Sequence, residues 1–360
     1  DAARRKYKKR CWNKHCFIEE KEDIAMVSEK MYELGTKKST IRTIFEYGRK
    51  RAAEIGAQNV FDFSLGNPNV KAPDFIQEAA VDILQSADPT EVHGYTIAPG
   101  RLEVREVLAA DMRKRFGADL AGKNFFLTAG AAAAVMICCK ALCEPGDEFI
   151  VFAPYFPEYR VFVEECGGKF SVVPADTDHF QIDFTVLKQM ISRHTKAIIV
   201  NSPNNPSGAV YSEETMIHLA ALLHEKEAEF GTTIFIIADE PYREIVYDGH
   251  VVPYIPKYYE NTLICYSYSK SFSLPGERIG YIIVPDCVTD FTCVYGAVAG
   301  AARILGHVNA PSLWQLVIAR CTGKGADLST YRKNASLLYD GLVAAGFTCM
   351  RPQGAFYLFP

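Results

Sequence analysis

A lysine, an aspartate and a small-residue turn each follow an apolar run in this 360-residue sequence. Lys270 comes just after Leu263–Ser267. An amine leaving a buried strand is desolvated, loses proton affinity and becomes a nucleophile toward carbonyl carbon. A solvated lysine at a strand end is the alternative. Asp239 closes the run Ile234–Ala238. A buried carboxylate is costly without a partner, and a pyridinium N–H is one group that would keep it ionised. Glu240 and the turn at Pro241 read equally as a solvated loop. Thr128-Ala129-Gly130-Ala131-Ala132 leads from a strand-like run into a helical one. The free N–H groups of a helix start attract phosphate, and small residues let it approach the backbone; a plain strand-to-helix turn has the same pattern. Ser267, Ser269 and Arg278 add hydroxyls and a guanidinium fork suited to phosphate, although the default for a lone arginine is a surface ion pair.

These residues act together only if the elements before them share a sheet. Asn124–Thr128, Glu148–Phe152, Phe170–Val173, Ala197–Val200, Ile234–Ala238, Leu263–Ser267 and Tyr281–Val284 are short apolar runs bounded by turn signals. Nearly continuous apolar strands are those covered on both faces. Helical patterns at 131–143, 183–193 and 212–230 alternate with them, which predicts an α/β fold with a mostly parallel sheet. Such sheets bind ligands at the carboxyl ends of their strands. Gly130, Asn205, Asp239, Tyr242 and Lys270 all follow strand ends and should converge there. Earlier in the chain, an amphipathic helix is expected from Ser39 to Ile55, with Ser39 or Thr40 as its cap. A short strand is expected over Phe61–Leu65, then a helix with Val104, Val107, Leu108, Met112 and Phe116 on one face. Residues 312–345 read as further helices.

The composition, 49% hydrophobic and 23% charged with net charge −4, offers no field that would favour nucleic acid or an anionic membrane. No stretch nears the ~20 apolar residues of a membrane span, so a soluble protein is expected, and a cytoplasmic one from its cysteines. Eleven cysteines in a chain of this length, several in apolar runs, read as reduced small hydrophobes. Cys139 and Cys143 stand one helical turn apart, but with no histidine nearby they give no metal site. Residues 1–14 carry seven Lys and Arg against Asp1. Codons for Lys21-Glu22-Asp23 can spell a bacterial ribosome-binding sequence shortly before Met26. Residues 1–25 are therefore expected to be a basic leader, disordered or non-native, with translation starting at Met26.

Three segments in order, Asn201-Ser-Pro-Asn-Asn205-Pro-Ser-Gly208, Asp239-Glu-Pro-Tyr242 and Ser267-Tyr-Ser-Lys270-Ser-Phe-Ser-Leu-Pro-Gly-Glu-Arg278-Ile-Gly280, resemble the signature set of class I/II aminotransferases. With Gly354-Ala-Phe-Tyr357, the likeness to the aspartate aminotransferase-like branch of fold type I runs from about Ser64 to Pro360. The resemblance implies a large, mostly parallel sheet domain, a smaller α/β domain, and pyridoxal 5′-phosphate (PLP) held by Lys270 as an aldimine. It implies that Asp239 pairs with the pyridine nitrogen, and that Asn205 and Tyr242 hydrogen-bond the cofactor's phenolate. Ser267, Ser269, Arg278 and the Gly130-Ala131-Ala132 backbone would hold the phosphate, and Phe156 would stack on the ring. Tyr95 would reach the phosphate of a neighbouring subunit, implying a homodimer. Gly66 and Asn205 would contact the substrate. The implied catalytic set is Lys270, Asp239 and Tyr242, and the implied reaction is ping-pong transfer of an amino group from an L-amino acid to a 2-oxo acid.

The same motifs serve a carbon–sulfur β-lyase or a related eliminase, since they bind cofactor rather than choose the reaction. Residues 1–60 show no helix-turn-helix, which disfavours a ligand-sensing DNA-binding regulator. The family's arginine for the substrate α-carboxylate lies tens of residues beyond Gly354-Ala-Phe-Tyr357, and Arg351 is not its equivalent. The sequence is accordingly expected to be a piece of a longer one. Arg303 is a surface residue or a distant reader of substrate side chains. The expected division is a leader at 1–25, an arm with part of the small domain at 26–65, the large domain at 66–318, and the start of the C-terminal small domain at 319–360.

Overall fold

The computed structural model describes residues 26–36, 40–64, 66–68 and 70–360. The leader expected at 1–25 and the capping Ser39 lie outside the described residues. The chain falls into two compact units, one reaching to Gly66 and one running from Asn67 to Pro360.

In the first unit, helices span Glu29–Thr36 and Thr40–Ile55, the second agreeing with the apolar period seen in the sequence. The strand expected at 61–65 does not form among its described residues. Phe61 and Phe63 are 80% and 76% exposed, and extended backbone becomes a strand only where a neighbour takes its hydrogen bonds.

In the second unit, seven strands form one sheet: β1 Phe125–Thr128, β2 Glu148–Phe152, β3 Lys169–Val173, β4 Thr195–Asn201, β5 Phe235–Asp239, β6 Thr262–Ser267 and β7 Gly280–Ile283. Their order is β1-β7-β6-β5-β4-β2-β3. Strands β2 to β6 pair in parallel, whereas β7 runs antiparallel to both β6 and β1. Two strands antiparallel to the same neighbour share a direction, so β1, β4, β5 and β6 all end on one edge. The reversed strand β7 starts on that edge, with Ser267 and Thr128 each opposite Gly280. Arg278 thus arrives at the rim from the opposite chain direction.

Both faces of the sheet are buried. Leu127, Ile198, Ile236 and Ile264 face one core; Phe126, Ile199, Ile237 and Leu263 face the other. This accounts for the unbroken apolar runs, because alternate side chains of a strand point to opposite faces. Helix Ala131–Leu142 lies in the second core and is buried along Val135, Ile137, Cys138 and Cys139. Helix Leu102–Phe116 buries Val104, Leu108 and Met112 as expected, but Val107 is 40% exposed. It sits about 100° of helical turn from Leu108, on the solvent side. Helix Glu213–Phe230 starts on Ser212, which accepts from Thr215 N–H at 3.1 Å, and closes on Gly231 at φ 67. Helices Ser312–Cys321 and Ser329–Ala344 fill the region predicted helical. The last residues return to the rim: Tyr247 N–H donates to Gln353 O at 2.9 Å and Ala355 N–H to Ile245 O at 2.8 Å. Among the described residues, no helix is long and apolar enough to cross a membrane.

Candidate active site

At the acid end of the rim, Asp239 is 6% exposed. Its Oδ2 accepts a hydrogen bond from the Tyr159 hydroxyl, and its Oδ1 is buried with no partner. Burial raises the carboxyl to about 7; the Tyr159 bond opposes that rise and the charge of Glu240 adds to it. The Asp239 main chain is also fixed, because Asn201 Nδ2 donates to its carbonyl at 2.8 Å. Asn201 Oδ1 accepts from Asn205 N–H at 2.7 Å. One asparagine at the end of β4 therefore ties the end of β5 to the loop that carries Asn205.

Glu240 is 2% exposed, which corrects the solvated-loop alternative. It forms a buried fork with Arg243, whose Nε donates to Oε2 at 2.6 Å and whose Nη2 donates to Oε1. The remaining guanidinium donors reach Val252 O and Pro253 O, each at 3.0 Å. A charge pair inside a protein persists only when its remaining donors and acceptors are satisfied, and here each guanidinium nitrogen has at least one acceptor.

Tyr242 is 3% exposed, and its hydroxyl lies 2.6 Å from that of Tyr357. Burial holds the Tyr242 hydroxyl far above the usual phenol range, Tyr357 adds to that, and Asn205 draws it back. Lys270 Nζ stands 5.9 Å from the centre of the Tyr242 ring and 5.4 Å from that of Phe356. Burial, then the charge of Arg278, lowers the Lys270 amine to about 8, so about a tenth of it is neutral at pH 7, far more than for an ordinary lysine. Lys270 lies in the short helix Tyr268–Ser271, pinned to the β7 side by Tyr268 N–H donating to Ile279 O at 3.2 Å. Ser267 and Ser269, on either side of this turn's start, are 1% and 6% exposed.

The anion end is built differently. Gly130 precedes the helix Ala131–Leu142 at φ 87, ψ 175, a region open almost only to glycine. A Cβ there would come within 2.7 Å of Arg278 Nη2. Arg278 is exposed, sits at φ 55, and donates to Pro275 O at 2.9 Å and Ala129 O at 3.1 Å. It bonds to carbonyls rather than to the surface carboxylate expected by default. A Cβ on Gly280 would meet Tyr266 O at 2.2 Å, so only glycine lets β7 approach β6 and the Gly130 turn. Ala131 is half-buried and Ala132 exposed, leaving the helix start open to an incoming anion. Phe156 is half-buried and packs edge-on to Tyr159, ring centres 5.6 Å apart.

Tyr95 is 90% exposed, and Gly66 closes the first unit and is described with it. Arg303 is exposed near the end of helix Phe291–Ile304, and Arg351 pairs with Asp340 at 3.1 Å.

A family model described as aminotransferase class I and II matches residues 58–360. The chain belongs to that family. Its structure resembles that of an aminotransferase from Eubacterium rectale with a TM-score of 0.91 and 53% identity, over 93% of this chain and 84% of that one. In sequence it is 30% identical to the aspartate aminotransferase of Pyrococcus horikoshii over 334 residues, 90% of this chain and 80% of that protein. It is 28% identical to a probable N-acetyl-LL-diaminopimelate aminotransferase of Bacillus subtilis over 323 residues, 87% and 77% of the two chains. This aminotransferase has the fold type I architecture, and amino-group transfer is its activity. These relatives lend nothing to the lyase alternative.

Sequence reasoning missed four contributors. Asn201 stood inside a quoted motif at a strand end, so its placement was readable even though its bonds were not. Tyr159 follows Phe156 by one helical turn, but its partner lies 80 residues away. Phe356 and Tyr357 were recognised only as a landmark, and the sequence carried no sign of their approach to Lys270 and Tyr242.

Proposed function

We propose that this aminotransferase holds PLP at Lys270 and moves an amino group from an L-amino acid to a 2-oxo acid in two half-reactions with ping-pong kinetics. The observation that carries this reading is the buried, unpartnered Oδ1 of Asp239, which sits at the same strand edge as the lowered amine of Lys270. Together they suit a heterocycle with a ring N–H and a carbonyl carbon. When bound, the cofactor supplies an aldehyde that condenses with amines and a ring that draws electron density from the substrate.

The chain's own groups do the rest. Asp239 Oδ1 takes the ring N–H and keeps it protonated. Tyr242 and Asn205 donate to the phenolate oxygen, Phe156 covers one ring face, and Gly130, Ala131, Ala132, Ser267, Ser269 and Arg278 hold the phosphate. Lys270 Nζ would hold the cofactor's aldehyde carbon and, once a donor amine took its place there, would be free to accept the proton of the substrate Cα. The exposed Tyr95 reaches a second subunit's phosphate, so the active form is a homodimer.

The test is reconstitution with PLP followed by borohydride reduction and peptide mapping, beside a screen of amino donors, aspartate included, with 2-oxoglutarate. The label is expected on Lys270, with 2-oxoglutarate-dependent conversion of at least one donor and neither in Lys270→Ala. Labelling of another lysine sinks the site assignment. Pyruvate and ammonia released from cystathionine without any 2-oxo acid would establish the lyase instead.

A further inference from the structure

The two oxygens of the Asp239 carboxylate have different surroundings: Oδ2 receives the Tyr159 hydroxyl, while Oδ1 is buried and unpartnered. A carboxylate turns easily about its terminal torsion, which has broad, roughly two-fold minima, so an untied Asp239 would present either oxygen. Tyr159 is not free to follow such a turn. Its side chain is 2% exposed, its ring packs edge-on to Phe156, and it stands in the first turn of helix Glu158–Glu165, whose Val163 is fully buried. Asn201 fixes the Asp239 main chain from the other side. The remaining ionisable neighbours, Glu240, Tyr242 and Cys265, surround the carboxylate without pairing with Oδ1.

We propose that Tyr159 is a positioning residue: by occupying Oδ2 it sets the plane of the Asp239 carboxylate and reserves Oδ1 for the N–H of an aromatic nitrogen heterocycle. This rests on the proposed use of PLP. A hydroxyl bonded to a charged acceptor is stronger than one between neutral groups, and Tyr159 donates it from a site where water cannot replace it.

The experiment measures equilibrium binding of PLP and of its 1-deaza analogue, in which C–H replaces the ring nitrogen, to the cofactor-free full chain and to Tyr159→Phe. That change keeps the ring and its packing and removes only the hydroxyl. Wild type should prefer PLP, and Tyr159→Phe should shrink that preference roughly tenfold while leaving affinity for the analogue unchanged. In an Asp239→Asn background, Tyr159→Phe should add nothing further. Equal weakening of both ligands would mean that Tyr159 only packs, and no change in either would mean that it does not act on Asp239; each overturns the proposal. If Tyr159→Phe fails to fold, 3-fluorotyrosine in place of Tyr159, a stronger donor of nearly the same shape, should widen the preference, and an unchanged preference overturns the proposal. A wild type that binds no PLP refutes the proposed function and this inference together. A wild type that prefers PLP while Tyr159→Phe matches it refutes only this inference.

Discussion

The acid end and the anion end of the rim handle charge by opposite means. Around Asp239, the residues Tyr159, Glu240, Tyr242 and Arg243 are each 6% exposed or less, and the carboxylates of Asp239 and Glu240 are held by specific side-chain donors. Around Gly130, the proposed phosphate contacts are main-chain N–H, the hydroxyls of Ser267 and Ser269, and an exposed arginine that leans on carbonyls. A single charge in a dry interior must meet partners fixed in advance, because desolvation is repaid only by good geometry. A phosphate can stay partly solvated, so backbone donors and a long side chain suffice. Changes at the acid end should therefore damage stability and chemistry, and changes at the anion end should weaken ligand affinity.

The harshest test of this contrast is Arg243→Leu. It strands Glu240 as an unpaired buried charge, a change that costs about 3–5 kcal/mol in comparable pairs. Urea unfolding of the cofactor-free protein should show it, while Arg278→Leu, made at an exposed arginine, should leave the midpoint nearly in place. Equal shifts for the two would dissolve the distinction.

Asp239→Asn comes next, with kcat expected to fall by roughly 10²–10³, the usual cost of losing one preset electrostatic partner. The same residue gives a pH signature. Its folded carboxyl sits at about 7 against an ordinary 3.8. As pH rises between those values the unfolded chain gives up the proton and the folded chain keeps it, so stability falls. Below that window both forms are protonated and the penalty vanishes; above it the penalty is complete. The cofactor-free protein should lose stability from about pH 4 to about pH 7 through this group, and Asp239→Asn should lack that component. Identical pH profiles would show that Asp239 is not the buried acid described here.

The sheet and the rim were legible because strand burial leaves a one-dimensional trace: all seven apolar runs became strands, and β1, β4, β5 and β6, which precede the candidate residues, end on one edge. Direction was not legible. The run at Gly280–Ile283 looks like its neighbours, yet it is the antiparallel strand that brings Arg278 to Gly130. Pairings across long separations were also hidden, Tyr159 with Asp239 and Tyr357 with Tyr242 above all. Composition misled at Glu240, since two adjacent acids and a proline look like a solvated turn until Arg243 folds back on them. It misled again at Phe61 and Phe63, whose alternation suggests a strand but finds no partner among the described residues.

At the anion end, Gly130→Ala should act on affinity. An added Cβ meets Arg278 Nη2 at 2.7 Å, but a flexible guanidinium can move aside. The larger burden is the backbone at φ 87, ψ 175, worth about 1–3 kcal/mol for a residue with a side chain. Binding of PLP should weaken by tenfold or more, with kcat at saturating cofactor little changed. A fall in kcat without loss of affinity would place Gly130 in the chemistry and break the contrast from the other side.

The smallest effect is expected at Thr128, whose buried hydroxyl donates to Gly130 O at 3.1 Å. That bond orients a peptide rather than a ligand. Thr128→Val keeps the shape and removes the bond, a loss of about 0.5–1.5 kcal/mol. If the Gly130 turn is held chiefly by its own backbone and by the close approach of Gly280, that loss appears in unfolding free energy, and affinity for PLP stays within about twofold. If affinity instead falls as far as in Gly130→Ala, the turn depends on a preset side-chain partner after all. The anion end would then work by the same principle as the acid end, with the hydroxyl simply set one residue farther from the charge.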